Sequence, residues 1–178
     1  MVAHDVILKN GMKLLVTECQ PSDAAALISY LNQVGGESGN LTFGESDFPL
    51  GLEEETAFIR SVIEKQKEVL LKGIIDGEIV GTCTITRSTR VRIQHIGVLG
   101  LSVRKPYWGM GVGKALLRSS IDLAKTRGCT KINLTVRDDN AHAINLYKKM
   151  GFVNEGVTSR SLWIDGKYYP SMLMGLDL

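Results

Sequence analysis

The chain has 178 residues, three cysteines and a formal net charge of +2. That length predicts a single domain over residues 1–178 with a core that needs no disulfide or metal staple, and so small a charge argues against a nucleic-acid binder, which would present a basic face. No apolar run approaches a membrane span, no signal-peptide pattern opens the sequence, and Cys19, Cys83 and Cys129 are too scattered for a metal site, so a cytoplasmic protein with reduced thiols is expected.

Lys13 to Thr17 reads as the first strand. Gln20-Pro21-Ser22-Asp23 starts a helix whose apolar stripe is Ala24, Leu27, Ile28, Leu31 and Val34, with Gly35-Gly36 as its stop. An irregular stretch from Gly35 to Leu52 follows and carries Glu37, Asn40, Phe43, Glu45 and Asp47. From Leu52 a second helix turns Phe58, Ile59, Val62 and Ile63 inward, and Glu53-Glu54-Glu55 at its start suits the helix dipole. Val69–Ile75 and Glu78–Thr86 flank Asp76-Gly77, a two-residue hairpin signal. Gly81 marks a bulge or a close packing contact. Val91 to Val103 reads as a third sheet run with His95 near its middle.

That run stops at Arg104-Lys105-Pro106 and gives way to Trp108-Gly109-Met110-Gly111-Val112-Gly113-Lys114, and then to a helix ending near Arg127-Gly128. Strand, glycine turn and helix together aim unpaired backbone N–H groups at an anion. A Walker A loop does not fit, because Trp108 stands where its first glycine belongs and Ala115 replaces the hydroxyl. A dinucleotide fingerprint does not fit either, because Lys114 stands at its third glycine. What remains is a pyrophosphate cradle of another kind, or a structural turn.

Lys131 to Val136 is a buried strand, and Asp138-Asp139-Asn140 then supplies N-cap candidates for a helix that Gly151 stops. Asn140 and Tyr147 are about 700° apart around that helix, so both lie near one face and can follow one long ligand. Phe152–Arg160 and Lys167–Leu176 close the chain as a hairpin around Asp165-Gly166. The order is β-αα-βββ-α-β-α-ββ, an α+β layer fold with a mixed, largely antiparallel sheet flanked by helices. A parallel pair can form only across one of the last two helices.

Together these stretches resemble the GCN5-related N-acetyltransferase (GNAT) family. Its acetyl-CoA loop, Arg/Gln-x-x-Gly-x-Gly/Ala, falls on Trp108 to Gly113, with Trp108 departing from the usual first residue. Its later motif is matched by Asn140, Ala143, Leu146, Tyr147, Gly151 and Phe152. The resemblance implies that two strands splay near the glycine loop, and that the backbone of Leu101, Ser102 and Val103 binds the acetyl-pantetheine arm of acetyl-CoA. It implies further that N–H groups from Gly109 through Met110, Gly111, Val112 and Gly113 to Lys114 hold the pyrophosphate. Asn140 would bond the arm, and Tyr147 would protonate the departing thiolate. A phenol stays protonated at neutral pH and suits that task.

Direct attack needs an unprotonated amine, hence a general base. Glu37, on the acceptor side in this family, and His95, on the strand entering the splay, are the two candidates. The expected acceptor is a small-molecule amine, with a protein N-terminus or lysine as the alternative. A non-catalytic acyl-CoA-binding module is the rival from another class. An edge strand in the closing hairpin leaves a homodimer open.

Overall fold

The computed structural model describes residues 2–178. The strands are β1 (Ala3–Ile7), β2 (Lys13–Glu18), β3 (Val69–Ile75), β4 (Glu78–Arg87), β5 (Ile96–Val103), β6 (Lys131–Arg137), β7 (Val153–Ile164) and β8 (Lys167–Asp177). The helices are α1 (Ala24–Glu37), α2 (Leu52–Lys65), α3 (Val112–Thr126) and α4 (Ala141–Lys149). One sheet runs in the order β1-β2-β3-β4-β5-β6-β8-β7. Every neighbouring pair is antiparallel except β5 and β6, the pair joined across α3. The predicted architecture holds, with one strand added at the front. β1 was not legible because its sequence, AHDVI, has no apolar alternation, and as an edge strand it buries little.

Both predicted two-residue turns form. Asp76 and Gly77 have φ of 50° and 84°, and Asp165 and Gly166 have 50° and 77°. Two successive positive φ values match the right-handed twist of the flanking strands.

Two boundaries differ from expectation. α1 runs through Gly35-Gly36 to Glu37. Gly35 is there to let the following loop cross, since a Cβ would stand 2.1 Å from the Gly44 carbonyl oxygen. Residues 91–95 are turns rather than strand, and Val91 and Ile93 are 78% and 42% exposed. β4 stops pairing at Arg87↔Gly97, so nothing continues the ladder. The Arg87 guanidinium instead bonds the Gln94 and Arg127 carbonyls at 2.6 and 2.7 Å and shapes the loop.

The sheet has a core on each face. Val69 and Leu71 of β3 join the main cluster with Val112, Leu116 and Leu117 of α3 and Ile144 and Tyr147 of α4. Leu70, on the opposite face, joins a smaller cluster with Ala24, Leu27, Ile59 and Val62 of α1 and α2. The β3–β4 register shifts beside Gly73, which pairs with Gly81. A Cβ on Gly81 would stand 2.8 Å from Leu116 and 3.1 Å from Val112. Gly81 is therefore both bulge and contact, and its missing side chain lets the first turns of α3 lie close on the sheet.

The feature that positions the site is the parting of β5 from β6. Their pairing covers only Ile96↔Lys131 to Val98↔Asn133. β4 follows β5 onward to Val103, and β8 follows β6 onward to Arg137. Leu99–Val103 therefore faces a gap where a neighbouring strand would lie.

Candidate active site

A cleft of about 710 Å³ occupies this gap and its mouth, within the range of small-ligand sites. Leu101, Ser102 and Val103 line it from β5, and Trp108, Gly109, Gly111, Val112, Gly113 and Lys114 from the turn and α3. Asn140, Ala143, Leu146 and Tyr147 line it from α4, and Val34, Ser38, Asn40 and Leu41 from α1 and the loop after it.

The glycine turn is built by local chemistry. A single 3-10 turn at Lys105–Tyr107 ends β5, and the Trp108 indole N–H donates to the Val103 carbonyl at 2.7 Å. Trp108 thus fastens the turn to the strand through its side chain. Gly109 and Gly111 have φ of 76° and 106°, in the left-handed region that glycine adopts freely. The first α3 bond runs from the Ala115 amide to the Gly111 carbonyl at 3.0 Å. The amides before it have no partner within the helix and carry the positive end of its dipole. Gly113, in the first turn of α3, packs near Leu146 and Val103, and a Cβ there would meet them at 3.5 and 3.6 Å, ordinary contact distances. Met110 does not line the cleft, and its carbonyl accepts from the Lys9 amide at 3.3 Å, a bond that leaves its own N–H uninvolved.

α4 places the second motif. Asn140 caps the helix, its Oδ1 accepting from the Ala143 amide at 3.2 Å. Tyr147 is 7% exposed and packs edge-on to Phe152, with ring centroids 5.7 Å apart. Its hydroxyl has no hydrogen-bond partner in the protein among the described residues. Burial, with Cys83 nearby, pushes this phenol well above the usual tyrosine range, so it stays a proton donor across the neutral range.

The two predicted bases fare differently. His95 lies just ahead of β5, exposed and outside the cleft. Eight residues of strand rise put it about 25 Å from Val103, and its carbonyl, not its ring, is engaged, accepting from the Thr130 amide at 3.0 Å. His95, expected on the strand that enters the splay, lies instead in the turn before β5, and the splay opens at the other end of that strand. Glu37 does stand beside the cleft, as the last residue of α1 and next to Ser38. Its Oε1 accepts from Arg104 Nε and its Oε2 from the Lys105 amide, both at 2.6 Å.

Three further residues escaped sequence reasoning. Tyr30 of α1 is buried, and its hydroxyl lies 2.9 Å from Ser102 Oγ, which lies 3.1 Å from Thr82 Oγ1. Its place between Leu27 and Val34 on the apolar stripe was the available signal. Arg104 and Arg137 gave none, because their partners Glu37 and Gly39 are 67 and 98 residues away. Among the described residues, no three His, Cys, Asp or Glu side chains group as a metal would require, and no helix is long and apolar enough to cross a membrane.

Comparison with known proteins agrees with this architecture. Residues 40–152 match the model of the acetyltransferase (GNAT) family. The crystal structure of an acetyltransferase of the GNAT family from Streptococcus pneumoniae aligns at a TM-score of 0.90 and 35% identity, over 93% of this chain and 99% of that one. YncA from Salmonella typhimurium, solved with its cofactor acetyl-CoA, shares the fold at a TM-score of 0.81 and 17% identity, over 93% and 94% of the two chains. Among curated proteins, the L-amino acid N-acetyltransferase AaaT of Escherichia coli (strain K12) is 36% identical over 105 residues, which is 58% of this chain and 65% of AaaT. The [ribosomal protein bS18]-alanine N-acetyltransferase of the same organism is 36% identical over 83 residues, 47% of this chain and 51% of that protein. These matches span less than two thirds of each curated relative. With the family's sequence model covering the glycine turn and the Asn140 helix, and a close structural relative matched along nearly its whole length, the chain belongs to the GNAT family of acetyltransferases.

Proposed function

We propose that the chain is an acetyl-CoA-dependent N-acetyltransferase that acts on a small amine by direct attack on the thioester. The observation that carries this reading is the parting of β5 from β6 beyond Val98↔Asn133, with the glycine turn at one end of the gap and Tyr147 lining the same cleft. Free N–H groups at the α3 start suit a pyrophosphate. The backbone of Leu101–Val103, lacking a strand partner toward β6, suits an extended amide-bearing arm. Asn140 has its Oδ1 occupied by the cap, and its amide NH2 remains for that arm. Tyr147 holds its proton where a thiolate would depart, which a binding module without chemistry does not need.

Glu37 has both oxygens engaged, so we assign it to holding the acceptor side of the cleft together. The amine's proton then passes to water on a side lined by Ser38, Asn40 and Ser102. The loop over this side is fastened on both flanks, to Arg104 and to Arg137, which favours a compact acceptor. A protein N-terminus is the alternative, supported by the partial similarity to the bS18-alanine enzyme. Three buried free thiols fit a reducing compartment, hence the cytoplasm.

The test is thiol release from acetyl-CoA against pooled small amines and pooled peptides with free N-termini, with a no-acceptor control. Release with the amine pool is expected. Release with the peptides alone would move the acceptor to proteins. No release, with no acetyl-CoA binding by calorimetry, would remove the transferase reading.

A further inference from the structure

Residues 37–40 run across the mouth of the cleft as a strap. One end is tied to the β5 side by the bonds from Arg104 and the Lys105 amide to Glu37. Two residues later the strap is tied to the β6 side, where the Gly39 carbonyl accepts from Arg137 Nη1 at 2.8 Å. Arg137 is the last residue of β6, and its side chain is 12% exposed. Its Nε and Nη2 grip the two oxygens of Asp139 at 2.9 and 2.6 Å, a fork that fixes both groups in one plane. Its guanidinium carbon lies 3.8 Å from the centroid of the Tyr169 ring. A Cβ on Gly39 would stand 3.3 Å from Nη1, so the close approach uses a residue without a side chain. Asp139 immediately precedes Asn140, the cap of α4.

We propose that Arg137 is a positioning residue that couples the two substrate subsites, joining the strap over the acceptor side to the Asp139–Asn140 turn on the donor side. The donor half of this inference rests on the acetyl-CoA reading; the tie from Arg137 to the strap rests on the distances alone. A ligand that bonds Asn140 restrains its turn, and the rigid Asp139–Arg137 fork carries that restraint to Gly39. Ser38 and Asn40, which flank Gly39 and line the cleft, are ordered as a result. Coupling of this kind is reciprocal, so an acceptor held under the strap tightens the donor by the same factor. Lysine keeps the charge but lacks the fork and cannot hold both partners.

Hydrogen exchange at the amides of residues 38–42, with and without acetyl-CoA, tests this on the full chain. In the parent, acetyl-CoA is expected to slow exchange there by about fivefold or more, the lower end of typical coupling. In Arg137→Lys and Arg137→Ala that protection is lost, while acetyl-CoA affinity stays within about threefold and the acceptor KM rises about tenfold with little change in kcat. If Arg137→Ala fails to fold, Arg137→Lys and Asp139→Asn carry the same comparison. Protection of the strap that persists in the variants overturns the coupling. Equal strap exchange in parent and variants without any ligand overturns the tie itself. If acetyl-CoA does not bind the parent, the proposed function fails and the coupling with it, while the ligand-free comparison still decides the tie.

Discussion

On the donor side of the cleft, α3 and α4 are seated by apolar contact: Val112, Leu116, Leu117, Ile144 and Tyr147 are all buried in the main cluster. The groups offered to a ligand there are largely backbone. On the acceptor side, α1 and α2 cover a smaller cluster, and ionic pairs supply much of the attachment. Lys72 meets Asp23 beneath α1, Arg104 meets Glu37 at its end, and the Arg137 guanidinium bonds the Gly39 carbonyl of the strap. Backbone donors fixed by packing tolerate side-chain drift, which would suit the acetyl-CoA that we propose binds there. Charge pairs can be altered one residue at a time, which suits a surface that must fit one acceptor among many.

The sharpest way to break this contrast is at Tyr147. Tyr147→Phe keeps the ring and its contact with Phe152 and removes only the proton donor. Turnover should fall on the order of 100-fold or more, as for other general acids, with acetyl-CoA affinity nearly unchanged. His95→Ala, outside the cleft, should leave turnover at the parent's level. Steady-state kinetics and calorimetry read both, and unchanged turnover in Tyr147→Phe would remove the acid role.

The acceptor side should fail by a different route. Lys72 is 7% exposed and paired with Asp23. Asp23→Ala leaves that ammonium buried without its counter-charge and should cost about 3 kcal/mol in urea unfolding. The double variant Asp23→Ala/Lys72→Met should recover most of the loss, since the cost lies in the orphaned charge rather than in a missing attraction. No recovery would mean that Asp23 itself stabilises α1, through the pair or through the bond its Oδ2 accepts from the Gln20 amide at 2.7 Å.

An effect that is absent at neutral pH and grows with alkalinity spans both sides. Burial pushes the Tyr30 phenol up to about 12 and the Cys83 thiol up to about 12, and it also raises Cys19 and Tyr147. The unfolded chain ionises these thiols near pH 8.5 and phenols near pH 10, each about 1.4 kcal/mol per pH unit beyond that point. The folded chain still holds the protons, so their contribution is full below those values and is lost as pH rises through the folded ones. Urea midpoints should therefore decline from about pH 8.5 upward and more steeply beyond pH 10. A flat profile would mean that these groups are not shielded in solution.

Local chemistry was legible in the sequence, and long-range closure was not. The Asp-Gly hairpins, the glycine turn, the Asn140 cap and the place of Tyr147 each follow from a few adjacent residues. The same logic misjudged Gly35-Gly36: a glycine pair usually ends a helix, but here Gly35 makes room for Gly44 to cross. It misjudged residues 91–95 as well, where Val91 and Ile93 alternate like a strand but meet no neighbouring strand. Glu37 shows the limit most clearly. Its residue type and position allow a base, and only the fold reveals that Arg104 and the Lys105 amide already occupy it.

The outermost strand carries a last consequence. β7 ends the sheet, and its register breaks between Asn154 and Gly156 and again between Thr158 and Leu162. Its aligned pairing with β8 therefore comes in runs of no more than three residues, although the strand is twelve residues long. A stranger's strand seeking a straight row of amides would find no long template there. The exposed Val153, Val157 and Trp163 thus sit at a margin that offers an incoming strand only short runs of aligned amides.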